Sequence, residues 1–188
     1  MIQPEQLKFY LYLLDQNVAD ALKSARKVDF AVLARDIDQI FSELDRFLVQ
    51  TSRVSRFFWP AQPSGCSPSE RKRRQGQSDC RASALRQALN VGEESALKSR
   101  HLRNHLEHAD ERLDDWVLNS SRRNFADRNI GHFQSAISGL DVVDEFRHFD
   151  PTSYIFRYRG EEFDIAALVA GVKEVQRSLS AVSTSMAR

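Results

Sequence analysis

The sequence predicts a mainly α-helical protein: an antiparallel helical bundle with a small β-hairpin and an extra helix near the C-terminus. Three observations carry that expectation. Apolar residues recur at three- and four-residue spacing through residues 4–57 and again over 165–179, the period of one helix face. Residues 154–165 instead read as two short strands about Arg159-Gly160. The stretch from Ala61 to Asp79 holds Pro63, Gly65, Pro68, Gly76 and several serines, and offers almost nothing to bury.

The elements follow in order. Pro4 suits a first helical turn, and Leu7, Leu11, Leu14, Val18, Ala21 and Leu22 give the first helix its stripe over residues 4–26. Asp29 is the expected N-cap of a second helix, which runs through Val32, Ile37, Phe41, Leu44 and Leu48 to about Phe57. A short link at Lys27–Asp29 makes the two an antiparallel hairpin. Trp59-Pro60 ends the second helix, and residues 61–79 are expected as a flexible basic loop. Ala82, Leu85, Ala88 and Leu89 form a short helix stopped near Gly92, and a longer helix is expected from Glu93–Ser95 to Asn119. The pattern weakens over 122–139. The hairpin and a last helix (Ile165 to Leu179) complete residues 150–188, with a frayed tail from Val182.

Composition bounds the function. With 188 residues, 41% hydrophobic and 28% charged, the chain reads as a single soluble domain, 1–188. No apolar run approaches the ~20 residues that span a bilayer, and Met1-Ile2-Gln3-Pro4-Glu5 lacks the layout of a secretory signal. No membrane contact and a cytoplasmic location are expected. Cys66 and Cys80 leave a disulfide open, although a reducing compartment favours two thiols. The net charge is only +1, yet Arg53, Arg56, Arg71, Lys72, Arg73, Arg74, Arg81 and Arg86 crowd a stretch holding only Glu70 and Asp79 as acids. Arg71, Lys72, Arg73, Arg74 and, further on, Arg100 are therefore candidate RNA-binding residues, against the alternative of a solvated basic loop.

The chemistry concentrates in Arg103-Asn104-His105-Leu106-Glu107-His108. On a helix, Leu102, Leu106, Ala109, Leu113, Trp116 and Val117 share one face, expected to meet the core. Asn104, His108, Glu111 and Asp115 lie opposite, with Arg103 at the flank. Arg103 and His108 are about 140° apart on an ideal helix, so they border a groove rather than stack. A second copy of the same face would complete it. An arginine neutralises phosphate oxygens, and a histidine moves the proton near neutral pH. Asn104 can orient either by hydrogen bonding. Such a cleft suits attack of a ribose 2′-OH on the adjacent phosphorus, with no metal and no cofactor. Arg100 and His105 form an overlapping second register. His108 is preferred because His105 borders the apolar stripe.

Arg103-Asn104 followed by His108 resembles the signature of the HEPN superfamily: Arg, four to six residues, then His, with a polar residue often directly after the Arg. HEPN domains are bundles of four or five helices whose signature lies on a later helix, and many dimerise through it. The resemblance is specific over about six residues and architectural over residues 1–120. It implies a metal-independent endoribonuclease acting on RNA as a homodimer, with Arg103 and His108 as catalytic pair and Asn104 at the polar position. Catalytic members often serve as toxins or in defence, which implies a cognate antitoxin or regulatory protein as a further partner. Two other classes stand beside this one. A non-catalytic binding or scaffold module would explain Glu107, Asp110 and Asp114, which repel RNA. A metal-binding bundle would use His101, His105 and His108, although the sole Glu-x-x-His, Glu145–His148, falls outside the predicted helices.

Overall fold

The computed structural model describes residues 2–99, 109–121, 123–133 and 140–186. Most of these are helical, and a small four-stranded sheet accompanies the helices. The helices are α1 (Pro4–Ala34), α2 (Ile37–Phe58), α3 (Pro68–Leu89), α4 (Ala109–Asn119) and α5 (Ile165–Met186). The strands are β1 (Asn129–Ile130), β2 (Arg147–Asp150), β3 (Ile155–Tyr158) and β4 (Glu161–Asp164), lying side by side in that order. β1 runs parallel to β2, whereas β2–β3 and β3–β4 are antiparallel.

α1 and α2 form the expected hairpin, but its turn lies later than predicted. Nothing at Lys27–Asp29 breaks the helix: Val28 and Ala31 continue the buried stripe, and the helix runs on to Ala34. Arg35, in the left-handed region at φ 56°, closes α1. Asp36 then caps α2, its Oδ1 accepting the Gln39 N–H at 3.0 Å. Glu43, wholly buried on α2, accepts from Lys27 of α1 at 3.2 Å and from Arg46 at 2.6 Å. The core lies between this pair, α5 and the sheet: Leu14, Val18, Phe41, Phe47, Phe149, Phe156 and Val172 are sealed from solvent.

The expected basic loop at 61–79 is a helix from Pro68 onward. Ser67 caps it, accepting the Glu70 N–H at 3.3 Å, and Pro68 opens its first turn. Glu70 pairs with Arg74, and Gln75 donates to Asp79 at 2.7 Å, both four residues apart. Only its second half is buried, at Ala82, Leu85 and Leu89, so the predicted short helix is the anchored end of a longer one. Asn90 at φ 52°, rather than Gly92, ends it.

The helix expected from residue 93 to 119 is not continuous. Ser95 caps a single 3-10 turn, Ala96–Lys98, and Ser99 is extended at φ −56°, ψ 125°. That turn is fixed by Leu97, buried between α2 and α5, where a Cβ on Gly171 would stand 3.1 Å from the leucine Cγ. The hairpin at 154–165 stands as predicted. Arg159 and Gly160, both with positive φ (46° and 83°), make its two-residue turn. β1 and β2 are additions to it. Nearly the whole of β2 is buried, including His148 and Asp150, so it lacks the alternation that marks a one-sided strand. α5 runs on to Met186 past the tail expected to fray at Val182.

Arg147 ties α2 to the sheet. Its Nε and Nη2 fork onto Asp127 at 2.8 and 2.6 Å, and Nη1 reaches Asp45 at 3.0 Å. Burial pushes the Asp45 carboxyl up, against the pull of Arg147. Burial works the same way on Asp127, but there the double hydrogen bond from Arg147 prevails and holds it below its ordinary range. Among the described residues, no helix is long and apolar enough to cross a membrane.

Candidate functional site

Arg103, Asn104 and His108, with Arg100, His101 and His105, lie outside the described residues, and so does the proposed helical arrangement of 100–108. The described chain places what stands on either side of them. Upstream, Ser99 borders a cavity of about 220 Å³ shared with Thr51 and Ser55 of α2, Leu97, and Glu162 and Phe163 of β4. Downstream, the described residues of α4 follow from Ala109.

Among the described residues, α4 is docked by polar contacts and by one side chain of the predicted apolar stripe, Trp116. The Trp116 indole donates to Asp144 Oδ1 at 2.9 Å, and the Ser120 hydroxyl donates to the same oxygen at 2.7 Å. The Arg159 guanidinium, from the β3–β4 turn, donates to the Arg112 carbonyl at 2.9 Å and to Asp115 at 2.8 Å. That hydrogen bond, with a second from Asn119, holds the Asp115 carboxyl below its ordinary range. Trp116 also meets Phe125 and Phe146 edge-on, with ring centroids 5.2 and 5.9 Å apart.

This docking leaves Leu113 and Val117, the other stripe residues whose side chains are described, in solvent. Leu113 is 43% exposed, Val117 51% and Leu118 81%, and Phe125 beside Trp116 is 52% exposed. Of the stripe's described side chains only Trp116 packs inward, against Phe125 and Phe146. The acids Asp110, Glu111 and Asp114 are exposed on the same helix.

Among the described residues, no contact brings the other predicted residues to this helix. Arg71, Lys72, Arg73 and Arg74 occupy consecutive positions in the first half of α3, all exposed. Cys66 and Cys80 are free thiols. Glu145 and His148 are not helical. His148 is fully buried in β2, its Nδ1 2.5 Å from Glu145 Oε1 and its Nε2 2.7 Å from the Gly131 carbonyl oxygen. Among the described residues no three His, Cys, Asp or Glu side chains gather as a metal site. Sequence reasoning gave no role to Arg147 and read Arg159 only as a turn position. Their partners lie up to 102 positions away, and no local pattern announces such a pairing. Comparison with protein-family models, curated proteins and solved structures finds no match to this chain.

Proposed function

We propose that this protein is a metal-independent endoribonuclease of the HEPN type, cleaving single-stranded RNA at a site completed by a second copy of the chain. The sequence motif supplies the chemistry. The observation that carries the reading further is the uncovered part of the apolar face of α4: Leu113 and Val117 follow the motif by only five and nine positions and meet solvent in the single chain. An isologous contact buries such a face twice and sets the residues just upstream of it near their own copies.

In the proposed reaction one His108 takes the proton from a ribose 2′-OH, and the resulting oxyanion attacks the adjacent phosphorus. The bond from phosphorus to the 5′-oxygen breaks, and that oxygen takes a proton from the second copy's protonated His108. Arg103 side chains hold the charge that builds on the phosphoryl oxygens, and Asn104 orients the arginine or the histidine. The products are a 2′,3′-cyclic phosphate and a 5′-hydroxyl. A role as toxin or defence component, restrained by a cognate protein, belongs to the same proposal. The purified chain is expected to cleave single-stranded RNA in excess EDTA, with cyclic phosphate ends visible by mass spectrometry. Loss of cleavage on chelation, or products with 3′-hydroxyl ends, would sink the mechanism.

A second reading has its own observation. Asp110, Glu111 and Asp114 expose negative charge on the very helix that follows the motif, which opposes a polyanion and suits a non-catalytic binding module. A folded dimer without any RNA cleavage is the result that favours it.

A further inference from the structure

We infer that the first half of α3 is a pre-formed grip for the phosphodiester backbone of single-stranded RNA, read without regard to base sequence. The inference rests on the ribonuclease reading for its choice of RNA, and on the structure for the rest.

Arg71, Lys72, Arg73 and Arg74 are successive, so at about 100° per residue they ring the helix instead of lining one side. All four side chains reach solvent. Arg74 is committed to Glu70, whereas Arg71, Lys72 and Arg73 form no ion pair among the described residues. The arrangement works against the helix that carries it. Four cations sit near the positive end of the helix dipole and repel one another at short spacing, which weakens a helix. Residues 68–79 bury no side chain to offset that cost. A local rule broken without a packing gain points to use.

The composition of this half-helix selects the partner. From Ser69 to Asp79 it presents no apolar side chain at all. A protein interface of useful affinity needs an apolar or aromatic centre, and a membrane-surface helix needs an apolar face. Phosphate contacts need only cations and hydrogen-bond donors, and they carry no sequence information. A flexible single strand can pass around a ring of cations; a rigid acidic surface reaches one side of it.

The test is binding of a fluorescein-labelled single-stranded RNA 12-mer to the full chain, read by anisotropy across salt concentrations. The background is His108→Ala, so that cleavage cannot interfere. Three phosphate contacts predict that log K falls with log salt at a slope of about −2. Replacing Arg71, Lys72 and Arg73 together by glutamine, a comparable helix former, is expected to flatten that slope and weaken binding about 100-fold at 0.1 M salt. Circular dichroism checks that the helix persists, and the single Lys72→Gln variant, expected to lose about one contact of slope, serves if the triple variant unfolds. Unchanged binding in the folded variants overturns the inference. So does equal binding of a polyglutamate peptide, which assigns the surface to acidic protein. RNA binding that needs these cations, in a wild type that never cleaves, overturns the ribonuclease reading alone and leaves this grip standing.

Discussion

Tyr154 and Asp29 stand 125 positions apart in sequence and 2.5 Å apart at their oxygens. The phenol donates to the carboxylate, fastening the start of β3 to the C-terminal part of α1. Burial, then the hydrogen bond to Asp29 and its charge, push the Tyr154 hydroxyl up to about 12. A folded-state value above the unfolded one means the contact's contribution is complete below the ordinary tyrosine value near 10. It is lost as pH rises through about 12. Tyr154→Phe is expected to cost about 1 kcal/mol at neutral pH, a charged-acceptor hydrogen bond discounted for its solvent exposure. The gap to wild type should close in strong alkali, as read by urea melts across pH. A Tyr154 that titrates normally by ultraviolet absorbance would count against this. Asp29 also marks a limit of the sequence: its residue type suits a cap, whereas it lies inside α1 as an acceptor for a partner 125 positions away.

α3 shows at the scale of an element why the basic stretch read as a loop. Glycine, proline and serine density is a sound loop signal when apolar spacing is missing. Here Ser67 and Pro68 are the start signals of a helix, and the long side chains that follow favour helix without burying anything. Capping and propensity won over composition. Gly76 then sits inside a helix with nothing within 4 Å of where a Cβ would be. Gly76→Ala is expected to stabilise the protein by roughly 0.5–1 kcal/mol. If residues 61–79 were a loop in solution, the substitution would leave thermal unfolding unchanged. The hairpin was legible because period-two patterning and a turn suited to positive φ agree in one short stretch. β2 was not, since burial on both faces erases its period.

For the whole molecule, the helical class and the two-helix hairpin could be read from periodicity, which is local. The manner in which α4 meets the body could not. Periodicity marked Leu113, Trp116 and Val117 as one apolar face, and it is one; Asp144, Phe125 and Phe146 take only Trp116. An apolar stripe says that something covers it, not whether that is the same chain or another. Leu113→Lys with Val117→Lys is expected to give a folded monomer by sedimentation equilibrium and to abolish RNA cleavage, while the wild type dimerises. A cleaving monomer would separate catalysis from the second copy and remove α4 from the account.

The central claim is that the Arg103–His108 motif cleaves RNA without a metal. The most direct measurement is the initial rate of cleavage of a labelled single-stranded RNA in excess EDTA, for wild type, Arg103→Ala and His108→Ala side by side. The account predicts a wild-type rate untouched by EDTA and a fall of about 10²–10⁴-fold in His108→Ala, with Arg103→Ala similarly crippled and both variants as stable as wild type. A wild type that leaves the RNA intact, or a His108→Ala protein that cleaves as fast as its parent, would contradict it.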